Sequence, residues 1–504
     1  MIEKWLERAK RGFLYFDENV IGKPAKWVTP SWNYYISRIV VPISILLGLY
    51  ELIDTADFAS TFQSSNAKVY FYAILVALAT VFVCWVVLLV ILRGTFINHT
   101  SNACLSIISS IIILKAISKF GFFILIEADW DIIWANRLTL VIGADLTYGV
   151  TQDDVSNESW RLWPPVFMVS LIIGTSYATT VKNYKQFLVP FSIFSLLCLF
   201  FVWNPNHVNY EPQTSLIRLT AALLCTYVSF GLTYRYCQSA EEYLVNKVKS
   251  WIGIASVITF FLTIVFLDPP EKIVELGIMD EGVPPQDWGG LFVNLLLSVA
   301  ACVIGFFISI LLAFGRRSEL PFFKFPSVTI IELVRSGPLV AWLFIAFFLI
   351  PDIIRPIYEA DAVIRTILII SLFGGCYMAE VLRGGLQAVP SGQIEAAMAL
   401  GLTPIQTKLY VELPSAIRTT LPAMVGIFIG LWKDTTLVYL LGVLDFFALA
   451  KVLANTDREF LGNYREPLIF AGFIFWSVAF YMSRISKGIE AKLGLGNEGG
   501  GEAT

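Results

Sequence analysis

The chain has 504 residues, 57% of them apolar and only 15% charged, with a formal net charge of -3 and a mean hydropathy of +0.70. A water-soluble chain carries about a quarter charged residues, so a soluble globular protein, a disordered one and a nucleic-acid binder with its basic face are all excluded. What remains is an all-α, polytopic integral membrane protein.

A bilayer core about 30 Å thick needs roughly 20 apolar residues in a helix. Such runs are Ile36–Ile53, Val69–Leu92, Cys104–Ile126, Pro165–Val181, Phe187–Trp203, Leu216–Tyr234 and Trp251–Leu267. After a Pro-rich stretch come Leu291–Phe314, Val328–Ile350, Val363–Leu382, Leu421–Leu441 and Leu468–Ile485. The expectation is about twelve transmembrane helices. The first apolar run starts only near Ile36, with no cleavage pattern before it, so no signal peptide is expected.

Lysine and arginine bias orients the spans. Lys4, Arg8, Lys10, Arg11, Lys23, Lys26 and Arg38 place the N-terminus in the cytoplasm. Alternation then puts Arg93, Lys182, Arg235, Arg316, Arg317, Arg383, Lys408 and Arg484 inside, and the C-terminus with them. The loops left outside are acidic, with Glu127, Asp129, Asp131 and Asp145 in one and Asp268, Glu271, Asp280 and Asp287 in another. Trp130, Trp134, Trp160 and Trp163 in the first of these suit an aromatic belt at headgroup depth.

Several patterns carry no chemistry. His99 and His207 are far apart and form no metal cluster, and the seven cysteines lie mostly in apolar runs without a C-x-x-C pair, as buried thiols do. Gly494-x-Gly496-x-x-Gly499 lacks the strand and helix of a dinucleotide site, and no G-x-x-x-x-G-K-[ST] occurs, so no nucleotide site is expected in this chain. Asn98 and Asn157 match the glycosylation pattern by chance. Gly426-x-x-x-Gly430 reads as a place for close helix packing.

The segment from Arg383 to Pro414 differs. It is too polar to span, and local signals divide it into a helical hairpin, with Ser391 as cap of the first helix and Gly401 at its end. Thr403 and Pro404 start the second helix and Pro414 stops it. The first helix is expected to present Glu395, Ala396, Ala397 and Leu400 outward, as a small apolar ridge beside an acid. Such a ridge suits either a groove on a soluble partner or packing on its own bundle.

Glu395-Ala396-Ala397, Gly401 and Leu413-Pro414 resemble the EAA signature of ABC importer permeases. Tyr377-Met-Ala-Glu380-Val-Leu-Arg383, Pro390-Ser-Gly392-Gln393, Glu332-Leu-Val-Arg335-Ser-Gly-Pro338 and Lys433-Asp434-Thr435-Thr436 are similar to the polar and general L-amino-acid branch of that family. Where the family usually has Arg-Gly-Thr-Pro, this chain reads Arg335-Ser336-Gly337-Pro338. The resemblance implies an N-terminal membrane extension, and the apolar runs give it about seven spans over 1–267, more than the family leads one to expect. It further implies a periplasmic linker over 268–290, a type I permease core over 291–493 and a flexible tail over 494–504. It implies a bacterial inner-membrane subunit, not itself an enzyme, that moves L-amino acids delivered by a periplasmic binding protein. A second permease, identical or paralogous, would share the path, and a separate ATPase pair would hold ATP and Mg. Gly392, Gln393, Glu395, Ala396, Ala397, Leu400 and Gly401 would then form the ATPase-coupling helix.

Charges at membrane depth are costly and mark functional candidates. Glu332, Arg335, Tyr377, Glu380, Lys433, Asp434 and Thr435 are the candidates for the substrate path. Arg335 suits a carboxylate, and Glu380 or Asp434 an ammonium. The bland alternatives are an i,i+3 pair of Glu332 with Arg335 and a local pair of Lys433 with Asp434. Two other functions stay open on residues alone, an ion-coupled secondary transporter and a membrane sensor or scaffold.

Overall fold

The computed structural model describes residues 40, 42–53, 67–93, 109, 112–113, 115–143, 158–203, 212–354, 361–455 and 458–493. His99, His207, Asn98, Asn157, the N-terminal basic residues and the Gly494–Gly499 pattern lie outside them. Two compact units divide the chain, Met1–Asp129 and Trp130–Thr504. In the first, helix α1 (Ala67–Arg93) carries Tyr72, whose hydroxyl donates to the Ser118 carbonyl and whose ring meets Phe122 edge-on at 5.7 Å.

The second unit opens with two short helices, α2 (Asp131–Ala135) and α3 (Arg137–Ile142). Four long helices follow: α4 (Trp163–Thr180), α5 (Lys185–Val202), α6 (Pro212–Ser239) and α7 (Glu242–Leu267). Beyond the linker lie α8 (Gly290–Arg316), α9 (Pro321–Ser336), α10 (Leu339–Phe344) and α11 (Ala362–Gln387). The chain continues through α12 (Ser391–Ala399), α13 (Pro404–Thr407), α14 (Leu413–Asp434), α15 (Phe446–Val452) and α16 (Arg465–Leu493). Among the described residues there is no strand, only an isolated bridge between Gly290 and Asp445.

Among the described residues eight helices are long and apolar enough to cross a bilayer, or nine if one bent pair is a single span. They coincide with the runs expected from Pro165 onward. Of the three earlier runs, Val69–Leu92 lies within α1, while Ile36–Ile53 and Cys104–Ile126 reach into residues outside those described, so the expected twelve is not established.

One expected span differs in form. Val328–Ile350 is not a continuous helix: α9 and the helix beginning at Leu339 meet at 107°. The cause is Gly337-Pro338, because proline has no N–H to donate and disfavours helical backbone in the residue before it. Gly337 accordingly adopts φ -102 and ψ 152. The Trp342 indole donates to the Val334 carbonyl at 3.0 Å, satisfying an acceptor that the break leaves open.

The centre of the unit is α8 against α11. Of the apolar stretch of α11, 61% is buried, and of α8, 44%, against 11% for α5 and 17% for α16. The two helices approach backbone to backbone. A Cβ on Gly375 would lie 2.9 Å from the Gly305 carbonyl oxygen, and one on Gly305 would lie 2.9 Å from the Ser371 carbonyl oxygen. Small-residue packing is therefore real here but falls on Gly305 and Gly375. At Gly426 and Gly430, where the sequence pattern placed it, a Cβ would meet nothing within 4 Å.

The linker is more ordered than its composition implies. Trp288 is fully buried among α8 and α11 residues, and its indole donates to the Val283 carbonyl at 2.8 Å. Two fully buried arginines do similar work in the helices before it. Arg137 donates to the Phe201 and Trp203 carbonyls at 2.6 and 3.1 Å, at the end of α5. Arg161 reaches the Phe266 carbonyl at 3.4 Å and the Glu281 carbonyl. Helix ends leave carbonyls unpaired, and a guanidinium with five donors can satisfy several at once. The expectation of buried thiols holds for Cys376, while Cys84, Cys198, Cys225, Cys237 and Cys302 are half-buried.

Gly375→Val should lower the melting temperature of the purified chain, by an amount matching about 1–3 kcal/mol of overpacking. Gly426→Val should lower it far less, because that face is open within this chain. Equal shifts in the two variants, followed by tryptophan fluorescence in detergent, would contradict the packing described here.

Candidate functional site

The hairpin forms as two short helices, but two of its cap and stop residues depart from the sequence reading. The first helix α12 has Pro390 at its N-cap position with no side-chain cap, so Ser391 is its first residue and not its cap. Gly401 ends it with φ +85, a conformation that a side chain would resist. Thr403 caps the second helix as expected and, with Gln406, completes a capping box, the Gln406 backbone N–H donating to the Thr403 hydroxyl at 3.4 Å and the Thr403 N–H to the Gln406 side chain at 2.9 Å. Pro414 does not stop the second helix. A π-helical turn over Lys408–Glu412 carries it into α14, and Pro414, which has no N–H to donate, sits just beyond that turn.

The outward face of α12 also differs. Gly392, Gln393, Glu395 and Ala396 are exposed, as is Leu400 at 84%, joined by Met398. Ala397 is 4% exposed and faces inward, so it belongs to the packing of the hairpin and not to the ridge. On a helix, residues 396 and 397 lie about 100° apart, and only one of them can sit at the centre of an exposed face.

One ion pair fastens the hairpin to the bundle. Arg317, just past the end of α8, donates to the Glu412 carboxylate at 3.0 Å and to the Leu386 carbonyl at 3.2 Å. Glu412 is buried. Lys408 adds its ammonium 5.9 Å from the Phe314 ring centroid.

The neighbouring Arg316 turns to a second group of charges. It lies 2.9 Å from Glu332 of α9 and 2.9 Å from Glu380 of α11. Glu380 also pairs with Arg383 at 3.1 Å and with Arg335 at 3.8 Å, and the Arg335 guanidinium sits 5.2 Å over the Tyr377 ring. Three arginines and two glutamates thus tie together α8, α9 and α11, with one positive charge in excess. Glu332 takes Arg316 as its partner, so the i,i+3 pair with Arg335 is not formed. Glu380 is the hub of the cluster, with its side chain 16% exposed, whereas Arg335 is 35% exposed and the loosest member.

Lys433, Asp434 and Thr435 do not join this group. They lie at the far end of α14, on the order of 15 Å along the bundle from the level of Glu380 at 1.5 Å per residue. There Thr435 is fully buried and belongs to a different network. Asn294 of α8 donates to the Thr435 hydroxyl at 3.1 Å and to the Asp445 carboxylate at 3.0 Å, and accepts from the Phe446 N–H at 2.9 Å. Asp445 in turn caps α15, accepting from the Ala448 N–H at 2.9 Å. Burial pushes the Asp445 carboxyl up to about 6, against the opposing pull of the hydrogen bonds from Asn294 and the α15 backbone.

Sequence reasoning missed Arg316, Arg317, Glu412, Asn294 and Asp445. In the sequence the first two signal only the cytoplasmic side of a span. A lone asparagine in the apolar run Leu291–Phe314 was a usable signal, because a polar group at membrane depth must find partners.

The Asp445 network predicts a pH dependence with a definite sign. Folding raises this carboxyl from 3.8 to about 6, so the folded chain binds the extra proton and stability falls as pH rises through that window. The full difference corresponds to about 3 kcal/mol. Asp445→Asn keeps a capping oxygen and has no such titration. Between pH 4 and pH 7 the melting temperature of the wild type should therefore fall by several degrees relative to the variant. Parallel melting curves across that range would contradict it.

Residues 305–494 match the family model described as the binding-protein-dependent transport system inner membrane component. The chain is similar, at 41% identity over 249 residues, to the glutamate/glutamine/aspartate/asparagine transport system permease protein BztC of Rhodobacter capsulatus, covering 49% of this chain and 57% of that one. It is 38% identical over 216 residues to the inner membrane amino-acid ABC transporter permease protein YhdY of Escherichia coli, covering 43% of this chain and 59% of YhdY. The chain thus spans less than two thirds of the length of these two relatives. It covers 85% of the glutamate/aspartate import permease protein GltK of Escherichia coli, at 31% identity over 195 residues. The chain belongs to the binding-protein-dependent transport system inner membrane components, among the amino-acid ABC permeases.

Proposed function

We propose that this chain is the permease subunit of an ATP-driven importer for polar L-amino acids in a bacterial inner membrane. A second permease completes the path, a periplasmic binding protein delivers the substrate, and a separate ATPase pair holds ATP and Mg. The observation that carries this reading is the hairpin of α12 and α13, a capped and exposed projection clamped to the bundle by Arg317 and Glu412. A loose loop has no use for such a clamp, while a projection that transmits force needs one. The names of BztC, YhdY and GltK support the substrate class.

On this reading the hairpin end faces the cytoplasm, as the lysine and arginine bias requires, and both termini lie on that side. Residues 1–267 form the extension, 268–290 the periplasmic linker, 291–493 the permease core and 494–504 the tail. Gly392, Gln393, Glu395, Ala396 and Leu400 meet the ATPase, Gly401 holds the helix end, and Ala397 supports the ridge from behind. Arg335 is the member of the charge cluster suited to a substrate carboxylate, because it is the most loosely paired arginine there and the cluster carries surplus positive charge. Glu380 holds the three arginines in place. Lys433 and Asp434 stand at the outer end of the path.

Uptake of tritiated L-amino acids by proteoliposomes tests the reading. It should require the ATPase, ATP and the binding protein together, and uptake driven by an ion gradient alone would refute it. Within the complex, Ala396→Trp and Leu400→Asp should release the ATPase or abolish uptake while the permease level stays normal. Ala397→Trp should instead lower the permease level, because the new ring has no space behind the helix.

The two charges of the cluster should also separate. Arg335→Ala should cut uptake at unchanged protein level. Glu380→Ala should reduce both, since Glu380 is the shared partner of Arg316, Arg335 and Arg383 and its loss leaves three guanidinium groups together with only Glu332 to offset them. Immunoblotting beside the uptake assay reads both quantities.

A further inference from the structure

Arg316 and Arg317 are consecutive, yet they serve different structures. Arg317 grips the hairpin through Glu412 and the end of α11 through the Leu386 carbonyl. Arg316 grips Glu332 and Glu380, the two carboxylates of the charge cluster. The backbone between them is still helical: Arg317 has φ -86 and ψ -6, and its N–H donates to the Ala313 carbonyl at 3.3 Å. Two guanidinium groups therefore leave one stiff helix end in directions about 100° apart.

We propose that Arg316 and Arg317 form a two-armed relay that transmits displacement of the hairpin to the charge cluster. This rests on the importer reading. When the hairpin moves, Glu412 moves with it, because the π-helical turn Lys408–Glu412 joins α13 directly to α14. The Glu412 carboxylate is buried, so its pairing with Arg317 is not readily replaced by water. Pulling Arg317 shifts the end of α8 and carries Arg316 relative to Glu332 and Glu380. Those carboxylates sit on α9 and α11, so the shift redistributes the pairing of Glu380 among Arg316, Arg335 and Arg383. Arg335 is then freed or held according to the position of the hairpin. Both arginines are positioning residues, acting through Glu412 and Glu380.

The test uses the complete complex of permeases, ATPase pair and binding protein in proteoliposomes, with a mixture of tritiated L-amino acids as the transported probe. ATPase copurification, ATP hydrolysis and uptake are measured for Arg317→Ala, Glu412→Gln, Arg317→Lys and the double swap Arg317→Glu with Glu412→Arg. The first two should retain the ATPase while the amino acid taken up per ATP hydrolysed falls by about fivefold or more. Arg317→Lys and the double swap should restore most of that ratio, whereas a merely structural contact would lower the permease level and leave the ratio unchanged.

Wild-type uptake with an unchanged ratio in both Arg317→Ala and Glu412→Gln overturns the relay and leaves the importer reading standing. So does a fall in permease level alone, with a normal ratio in the protein that remains. A wild-type complex that hydrolyses ATP with the binding protein present and takes up none of the mixture overturns the importer reading itself.

Discussion

Helices Gly290–Arg316 and Ala362–Gln387 meet at Gly305 and Gly375, so closely that a side chain on either would strike the backbone of the other. In a bilayer, lipid tails are as apolar as leucine, and helices gain from association mainly through close packing and hydrogen bonds. A glycine contact is a direct way to obtain both backbone proximity and a large matched surface. The rest of the second unit takes its position from this pair. Gly385 of the same helix lets Leu413–Asp434 approach on another face, with Ala416 at the contact. The bent pair formed by Pro321–Ser336 and Leu339–Phe344 leans against the remaining side, through Ile331 and Leu343.

Polar groups then mark the two ends of this apolar assembly. At one end Asn294, Thr435 and Asp445 satisfy one another and the start of Phe446–Val452. At the other, arginines and glutamates neutralise one another around Glu380, and Arg317 holds the hairpin. The costs explain the arrangement. An unpaired charge in this setting is expensive enough to reorganise the structure, so every acid in the cluster has an arginine at hand. The surplus is one guanidinium, and the loosest of the three is Arg335, which rests partly on the Tyr377 ring. Under the proposed importer function, a single spare positive group is what an anionic or zwitterionic ligand requires.

Local chemistry was well expressed in the chain where it depended on neighbours in sequence. The capping box at Thr403 and Gln406, the left-handed Gly401 and the break at Gly337-Pro338 all follow from residues within four positions of one another. The apolar run Val328–Ile350 has the length of one span, and only Pro338 within it signals the break. The inward position of Ala397 is not legible in its neighbours. An alanine is as suited to a buried contact as to an exposed ridge, and its neighbours in sequence do not say which side of a short helix meets the bundle.

From the sequence alone came the membrane class, the position of the spans from Pro165 onward, the hairpin and the family, since each rests on composition, local periodicity or contiguous motifs. The partnerships were decided only by the tertiary structure. Glu332 has Arg335 one turn away but pairs with Arg316, and Gly426 and Gly430 have the spacing of a packing motif but open onto empty space. Charge pairs form between whichever side chains the helix packing brings within a few ångströms. That packing is set by shape complementarity along whole helices, which no short stretch of sequence encodes.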